Sequence, residues 1–254
     1  MNAEAPLRVY WRPGCSSCVK VKEFLSGLGV DYQSVNVSAE PAAMTELAEL
    51  GVRSVPVVTR GKDYVFAQAL EDVSRFVGRE LHVKRLPPAE LMGKWLHVLE
   101  AAQRHALQIP ASRLESRATP GRDRSVRSLA YHVHQIPDAF LQAVEQGVED
   151  LSGIYNETPP AHIRTGADIA AWGASVTARL RQWWQRQDDK SLQRRVKTYY
   201  GERPLHELLE RCTWHSAQHA RQLIVVLEES GVKVDRPLAK DDYAGLPMPE
   251  GLWE

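Results

Sequence analysis

The stretch VYWRPGCSSCVKVKEFL, residues 9–25, places two cysteines three positions apart, between a short apolar run and a helical pattern. Cys15 therefore falls where a β-strand passes into a helix. The unpaired N–H groups and the dipole of a helix start favour an anion, and so a thiolate. A thiolate at Cys15 can attack a disulfide, and Cys18, one turn later, can attack the resulting mixed disulfide. The stretch predicts an attacking and a resolving thiol.

Zinc binding is the competing use of a Cys-x-x-Cys pair. It normally requires further ligands nearby, and residues 1–80 contain no histidine and no third cysteine. Redox chemistry is therefore favoured over zinc at this pair. The only other cysteine, Cys212, is distant in sequence, and three cysteines do not make a disulfide scaffold.

Strand and helix signals alternate around the pair, from about Leu7 to Gly78, and predict the order βαβαββα. The segments WRPGCSSCVKVKEFL and SVPVVTRG, with this order, resemble the glutaredoxin and thioredoxin superfamily. The resemblance implies a thioredoxin-like α/β fold, with Pro56 as a cis-proline facing the cysteine pair. It also implies that the backbone before Pro56, at Val55, binds the cysteinyl part of a thiol substrate. An ordinary strand-edge proline is the alternative.

Many glutaredoxins carry a glycine pair followed by an acidic residue, which holds the γ-glutamyl group of glutathione. The corresponding stretch here reads FAQALED, without the glycine pair and with Asp72 in place of the acid. In this stretch the chain therefore departs from the usual glutathione site. The family resemblance still implies glutathione or a similar low-molecular-weight thiol as the co-substrate.

Beyond RELHVKRLPPAE, residues 79–90, strand signals nearly vanish and four long apolar-periodic segments follow. They predict an all-α four-helix bundle. The expected domains are 1–80, a linker at 81–90, and 91–254. The tail is expected to pack across the bundle through Leu246, Leu252 and Trp253. The four predicted helices are Ala89–Leu107, Val126–Gln146, Gly166–Gln187 and Leu205–Ser230.

Three histidines on the second and fourth of these helices predict a metal site. His215 and His219 lie four residues apart on one helical face, and His132 shares a stripe with Leu129 and Ile136. Three imidazole ligands leave one coordination position of the metal open for water or substrate. This arrangement is typical of a catalytic site for a divalent metal, zinc or nickel. A polar core network is the alternative reading. His134, about 200° around the helix from His132, is expected to face elsewhere.

The segments RSLAYH, residues 127–132, and LLERCTWHSAQHARQL, residues 208–223, resemble the DinB-like metal-binding four-helix bundles. The resemblance implies that His132, His215 and His219 are the metal ligands. Cys212 shares the face of His215 and is interpreted as a small buried residue rather than a ligand.

Five arginines lie close together around the start of the second predicted helix: Arg113, Arg117, Arg122, Arg124 and Arg127. They either bind the carboxylates of a thiol at the metal site or belong to a solvated loop.

Composition narrows the range of partners. Thirty-two basic residues balance thirty-two acidic ones, which gives no general attraction to nucleic acid. The sequence has no apolar run of about 20 residues and no signal-peptide pattern, so no membrane association and a cytoplasmic location are expected. The expected partners are small-molecule thiols and disulfides, with a homodimer through the bundle as a possibility.

Together these patterns predict a thiol-dependent enzyme, in which a glutaredoxin-like oxidoreductase module is joined to a metal-dependent thiol S-transferase bundle. Two alternatives remain. In the first, the chain is a plain oxidoreductase whose bundle serves only for docking. In the second, it is a non-enzymatic sensor in which oxidation of the Cys15–Cys18 pair alters metal occupancy.

Overall fold

The computed structural model describes residues 5–253, which form two compact units. The second unit starts at Arg85, inside the expected linker, and the boundaries expected from the sequence stay predictions. Two short segments from later in the sequence belong to the first unit. Within the described residues, the first unit comprises 5–84, 119–122 and 249–253, and the second comprises 85–118 and 123–248.

The first unit has the predicted order βαβαββα. Strands β1 and β2 are parallel, whereas β1 and β3, and β3 and β4, are antiparallel, so the sheet is mixed with the order β2-β1-β3-β4. The elements are β1 (Leu7–Trp11), α1 (Ser16–Gly27), β2 (Gln33–Asn36), α2 (Pro41–Glu49), β3 (Val57–Arg60), β4 (Asp63–Phe66) and α3 (Leu70–Phe76).

Alternating side chains of the sheet build a core on each face, because successive residues of a strand point to opposite sides. Val9 and Val58 pair across β1 and β3 and pack with residues of α1 and α3. Tyr10 and Val57, the next pair, pack with residues of α2. The sheet therefore lies between helices, and the loop from β1 to α1 emerges at one of its edges.

The tail interacts with α1 of the first unit. The Glu23 carboxylate accepts the backbone N–H groups of Glu250 at 2.8 Å and Gly251 at 2.6 Å. The expectation that the whole tail packs across the bundle is therefore wrong for Leu252 and Trp253, which belong to the first unit. It holds for Leu246, which is buried in the apolar core of the second unit.

The second unit is mainly helical. Helices α4 and α5 each pack against both α7 and α8. The rings of Trp95, Phe140 and Trp183 stack edge to face at the centre of the core. The elements are α4 (Pro88–Leu107), α5 (Val126–Gln146), α6 (Leu151–Tyr155), α7 (Gly166–Gln185), β5 (Arg195–Thr198), β6 (Gly201–Pro204) and α8 (Leu205–Glu229), with two short 3₁₀ turns, Ala111–Arg113 and Lys240–Tyr243.

A β-hairpin interrupts this helical unit, which the sequence patterns did not predict. Strands β5 and β6 pair antiparallel, and Gly201, the first residue of β6 after the two-residue turn, has a φ of 107°. In β5 only Val196 and Thr198 are buried, and they alternate with exposed residues. An alternation of four residues is too short to identify a strand from the sequence. Within residues 5–253, no helix has the length and apolar character needed to cross a bilayer.

Replacing Gly166 by alanine is expected to destabilise the second unit. A β-carbon at this first residue of α7 would lie 2.0 Å from the carbonyl oxygen of Ala106, so the two backbones would have to separate. Overpacking of this kind costs about 1–3 kcal/mol of unfolding free energy. The matched control is Gly93→Ala in α4, which has nothing within 4 Å and should gain up to about 1 kcal/mol. Urea unfolding followed by far-UV circular dichroism measures both, and equal midpoints would contradict the expectation.

Candidate functional site

Cys15 and Cys18 lie at the start of α1, as the sequence predicts, and form a disulfide. Cys15 is the N-cap residue, and its sulfur accepts a hydrogen bond from the backbone N–H of Cys18 at 3.3 Å. Cys18 is fully buried, whereas Cys15 is partly exposed. Cys15 is therefore the more accessible residue of the pair, and negative charge on its sulfur would face N–H donors at the helix start.

Pro56 lies at the same edge of the sheet as the cysteine pair. The Val55–Pro56 peptide bond is cis, as the resemblance implies. Val57, the first residue of β3, pairs with Tyr10 near the end of β1, which places Pro56 beside the chain that leads to Cys15. The carbonyl of Pro56 accepts a hydrogen bond from the N–H of Ala67. The binding role of Val55 and Pro56 stays a prediction.

Asp72, the residue in place of the usual acid of a glutathione site, forms an ion pair with Arg75 in the same helix. Its side chain already has a cationic partner within α3, one turn away. A role for Asp72 toward a γ-glutamyl group stays a prediction.

His132, His215 and His219 converge in the interior of the second unit. One nitrogen from each ring lies within 4.8 Å of the others, and the three side chains are buried. His132 comes from α5 and the other two from adjacent turns of α8, with their Nε2 atoms 3.2 Å apart. The structure thus brings together the three histidines that the helical spacing singled out.

Two glutamines orient two of these rings. Nδ1 of His132 lies 2.8 Å from Oε1 of Gln135, whose amide nitrogen donates to the carbonyl of Ile154 at 2.7 Å. Because the amide nitrogen is committed to a carbonyl, its oxygen faces His132, and Nδ1 must carry the proton. The Nε2 lone pair of His132 is then left for another partner. Nδ1 of His219 contacts Oε1 of Gln222 in the same way at 2.6 Å.

Burial keeps His132 and His215 neutral. Desolvation lowers the pKa of His132 well below its ordinary value, and the charges of Arg124 and the two other histidines lower it further. The pKa of His215 is lowered for the same main reason, with added effects of His219 and Arg211. Unprotonated imidazoles that share one space can hold a divalent cation, since metal coordination uses the unprotonated nitrogen.

Cys212 does not belong to this set. Its thiol is fully buried, 3.7 Å from the hydroxyl of Tyr155, and burial raises its pKa to about 11. This agrees with its interpretation as a small buried residue. His134 is buried too, with its ring against Gly173, and burial lowers its pKa to about 3.

The arginines of the cluster lie in different parts of the structure. Arg127 pairs with Glu115, and Arg113 donates to Ser230, so both belong to the surface of the second unit. Arg124 is buried, and its charge acts on His132. Arg122 belongs to the first unit, near Arg12. The five arginines therefore do not form one group at the three histidines, and carboxylate binding by this cluster stays a prediction.

Sequence reasoning missed the supporting residues. Gln135 and Gln222 each follow a histidine by three positions, in the segments HVHQ and HARQ. Residues three apart lie on the same helical face, so the repeated His-x-x-Gln spacing was a usable signal. The sequence marked Arg122 only as one of the five clustered arginines, because its neighbours in the structure come from distant parts of the sequence.

Comparison with known proteins relates the first unit to a family. A family model described as glutaredoxin matches residues 7–65. The Gene 56 protein of Mycobacterium phage L5 is 44% identical over 55 residues, which are 21% of this chain and 53% of the phage protein. The Gene 56 protein of Mycobacterium phage D29 is 35% identical over 54 residues, 21% of this chain and 60% of that protein. The chain thus spans little more than half the length of these two relatives.

The match with a third relative covers a larger share of that relative's length. The glutaredoxin-like protein NrdH of Lactococcus lactis subsp. cremoris is 30% identical over 59 residues, which are 23% of this chain and 81% of NrdH. The matched family region contains the cysteine pair, the cis-proline and all four strands up to Val65. Through this region, the chain belongs to the glutaredoxin family.

Proposed function

We propose that the first unit is a thiol–disulfide oxidoreductase acting on small-molecule disulfides or mixed disulfides. The observation that carries this is the Cys15–Cys18 pair at the start of α1, in which Cys15 is partly exposed and Cys18 is buried. The family match over residues 7–65 supports it. The cytoplasm, where thiols are kept reduced, is the compartment proposed for this activity.

In the proposed reaction, the Cys15 thiolate attacks one sulfur of the substrate disulfide and the other sulfur leaves as a thiolate. The Cys18 thiolate then attacks the sulfur of Cys15, releases the second substrate thiol and closes the protein disulfide. The substrate gains two electrons, and the protein loses two. Two molecules of a low-molecular-weight thiol such as glutathione, or one dithiol, return them and are oxidised to a disulfide. In this proposal the backbone of Val55, before Pro56, aligns the substrate sulfur with Cys15.

The test is reduction of 2-hydroxyethyl disulfide by the full chain with glutathione or dithiothreitol as the electron source. The proposal expects turnover well above the rate of the reductant alone, and the Cys212→Ala variant should match the wild type. Absence of turnover with both reductants would contradict the proposed function.

We also propose that His132, His215 and His219 bind one divalent cation, zinc or nickel. The donor set supports this, because one nitrogen from each of three buried imidazoles lies within 4.8 Å of the others and glutamines contact two of the rings. A bound cation would stabilise the anion of a coordinated thiol or water. In this proposal the second unit is a DinB-like four-helix bundle with thiol S-transferase activity, and dimerisation through it stays a prediction.

Metal analysis of the purified full chain tests the cation proposal and separates it from the plain-oxidoreductase alternative. About one equivalent of a divalent ion per chain is expected. A sensor would differ from an enzyme in that metal occupancy would follow the redox state of the cysteine pair without any thiol transfer.

Replacing Gln135 by alanine is expected to weaken metal binding by about 10–100-fold, because His132 loses the partner that fixes its tautomer and orientation. The matched control is Gln103→Ala, whose amide contacts Thr177 away from the three histidines. Competition with a chromogenic chelator measures both affinities. Equal affinities in the two variants would show that the glutamine does not act on the ligand.

A further inference from the structure

The second unit contains a surface cavity of about 630 Å³, between the start of α5 and the segment 158–164 in front of α7. Its volume lies in the range of about 300–1,000 Å³ that is usual for small-molecule sites. Arg127 of α5 and Arg164 line it, and none of the three histidines of the proposed metal site does. Arg164 lies outside the arginine cluster of the sequence, and Arg127 is the one member of that cluster that lines the cavity.

Backbone carbonyls hold both guanidinium groups in place. Nη1 of Arg127 donates to the carbonyl of Ile163 at 3.2 Å, and Nε of Arg164 donates to the carbonyl of Ala161 at 2.7 Å. Both side chains are thus fixed to the same short segment, residues 161–163. Within residues 5–253, neither Nη1 nor Nη2 of Arg164 forms a hydrogen bond or an ion pair. These two nitrogens remain as donors for a ligand.

The charges that line the cavity favour a ligand with one negative charge. Glu115 supplies the only carboxylate of the lining, and its Oε1 accepts from Nε of Arg127 at 2.6 Å. Asp168 does not line the cavity, since its carboxylate accepts the backbone N–H groups of Arg164 and Thr165 at 2.9 and 2.8 Å. Two guanidinium groups and one carboxylate leave one positive charge, which a singly charged anion would balance.

We propose that Arg127 and Arg164 bind the carboxylate of a small organic acid whose hydrocarbon part lies on Pro160 and Ala161. The parallel N–H donors of a guanidinium match the two oxygens of a carboxylate. Pro160 and Ala161 are exposed, line the cavity and offer apolar surface beside the two arginines. This ligand site requires neither thiol chemistry at the cysteine pair nor a metal at the three histidines.

A pair of probes that share a ring and differ in charge tests the proposal: 4-fluorobenzoate and 4-fluorobenzamide. Fluorine NMR titration against the full chain measures the dissociation constant of each. The acid should bind with a dissociation constant of about 1 mM or less, and about tenfold or more tightly than the amide. High salt should weaken binding of the acid, since it screens charges. Addition of EDTA should not, because the site does not use a metal.

Two substitutions in the cavity should shift the affinity for 4-fluorobenzoate in opposite directions. Arg164→Gln should weaken binding by about tenfold or more, because a charge-assisted hydrogen-bond donor is lost. Glu115→Gln should strengthen it by about threefold, because the carboxylate that competes for Arg127 is removed. The matched control is Arg181→Gln in α7, an arginine that pairs with Glu100 outside the cavity and should bind as the wild type does.

A wild type that does not bind 4-fluorobenzoate, or that binds the acid and the amide equally, overturns the inference, whether or not the variants fold. Wild-type affinity in Arg164→Gln, or weaker binding in Glu115→Gln, overturns it as well. Loss of binding on addition of EDTA would assign the carboxylate to a metal and not to the arginines, which also overturns it. All of these outcomes leave the proposed oxidoreductase function standing.

Discussion

Replacing Cys18 by serine is expected to trap the substrate on Cys15. When 5,5′-dithiobis(2-nitrobenzoate) reacts with the reduced wild type, Cys15 should release one thionitrobenzoate and Cys18 should release the second as the disulfide closes. The Cys18→Ser variant should release one equivalent only and keep the other half as a covalent adduct. Absorbance at the thionitrobenzoate band and the intact mass measure both quantities.

Cys15→Ser should lose the fast reaction, because the remaining sulfur of the pair is fully buried. We expect its rate to fall by about a hundredfold or more, since both access and thiolate stabilisation at the helix start are lost. The matched control is Cys212→Ala, which removes a buried thiol of the second unit and should keep the wild-type rate. A Cys15→Ser variant that reacts as fast as the wild type would reverse the assignment of the two thiols.

Replacing His219 by alanine is expected to remove the bound metal almost completely. The site would be left with two imidazoles, and loss of a ligand should exceed the 10–100-fold effect of losing a supporting partner. We therefore expect more than a hundredfold weaker binding and less than a tenth of an equivalent of metal after gel filtration. Mass spectrometry of the metal content and titration with Zn²⁺ provide the measurement.

His162→Ala is the control for this experiment, because its side chain is exposed and lies outside the three-histidine group. It should retain the wild-type metal content. Circular dichroism should show that the His219→Ala variant keeps its helices, so that loss of metal is not loss of fold. Stoichiometric metal in a variant with all three histidines replaced would exclude this site.

The long elements could be predicted from the sequence because one periodic pattern determines each of them. The prediction for the helix Val126–Gln146 has the observed ends, and the other three long helices differ by at most two residues. The convergence of His132 with His215 and His219 was also predictable, since each lies on the apolar stripe of its helix. Their metal-binding role stays a prediction.

Features that depend on distant partners could not be predicted. In the sequence Arg122 is one of five closely spaced arginines, and only the packing of its segment on Gly14 distinguishes it. The tail segment beyond Pro249 has no periodic pattern, and the Glu23 carboxylate fixes its place through two backbone N–H groups. Such contacts depend on tertiary structure rather than on the local order of residues.

The first unit is built from three separate segments of the sequence, and these segments are synthesised at different times. On the ribosome, residues 5–84 emerge first, and their sheet and helices can form before the rest is made. The Pro13–Gly14 loop then remains uncovered until residues 119–122 have been translated. Glu23 lacks its two N–H donors until Glu250 and Gly251 follow. A nascent chain thus exposes its cysteine pair to cellular thiols before the segment that packs on Pro13 and Gly14 has been added.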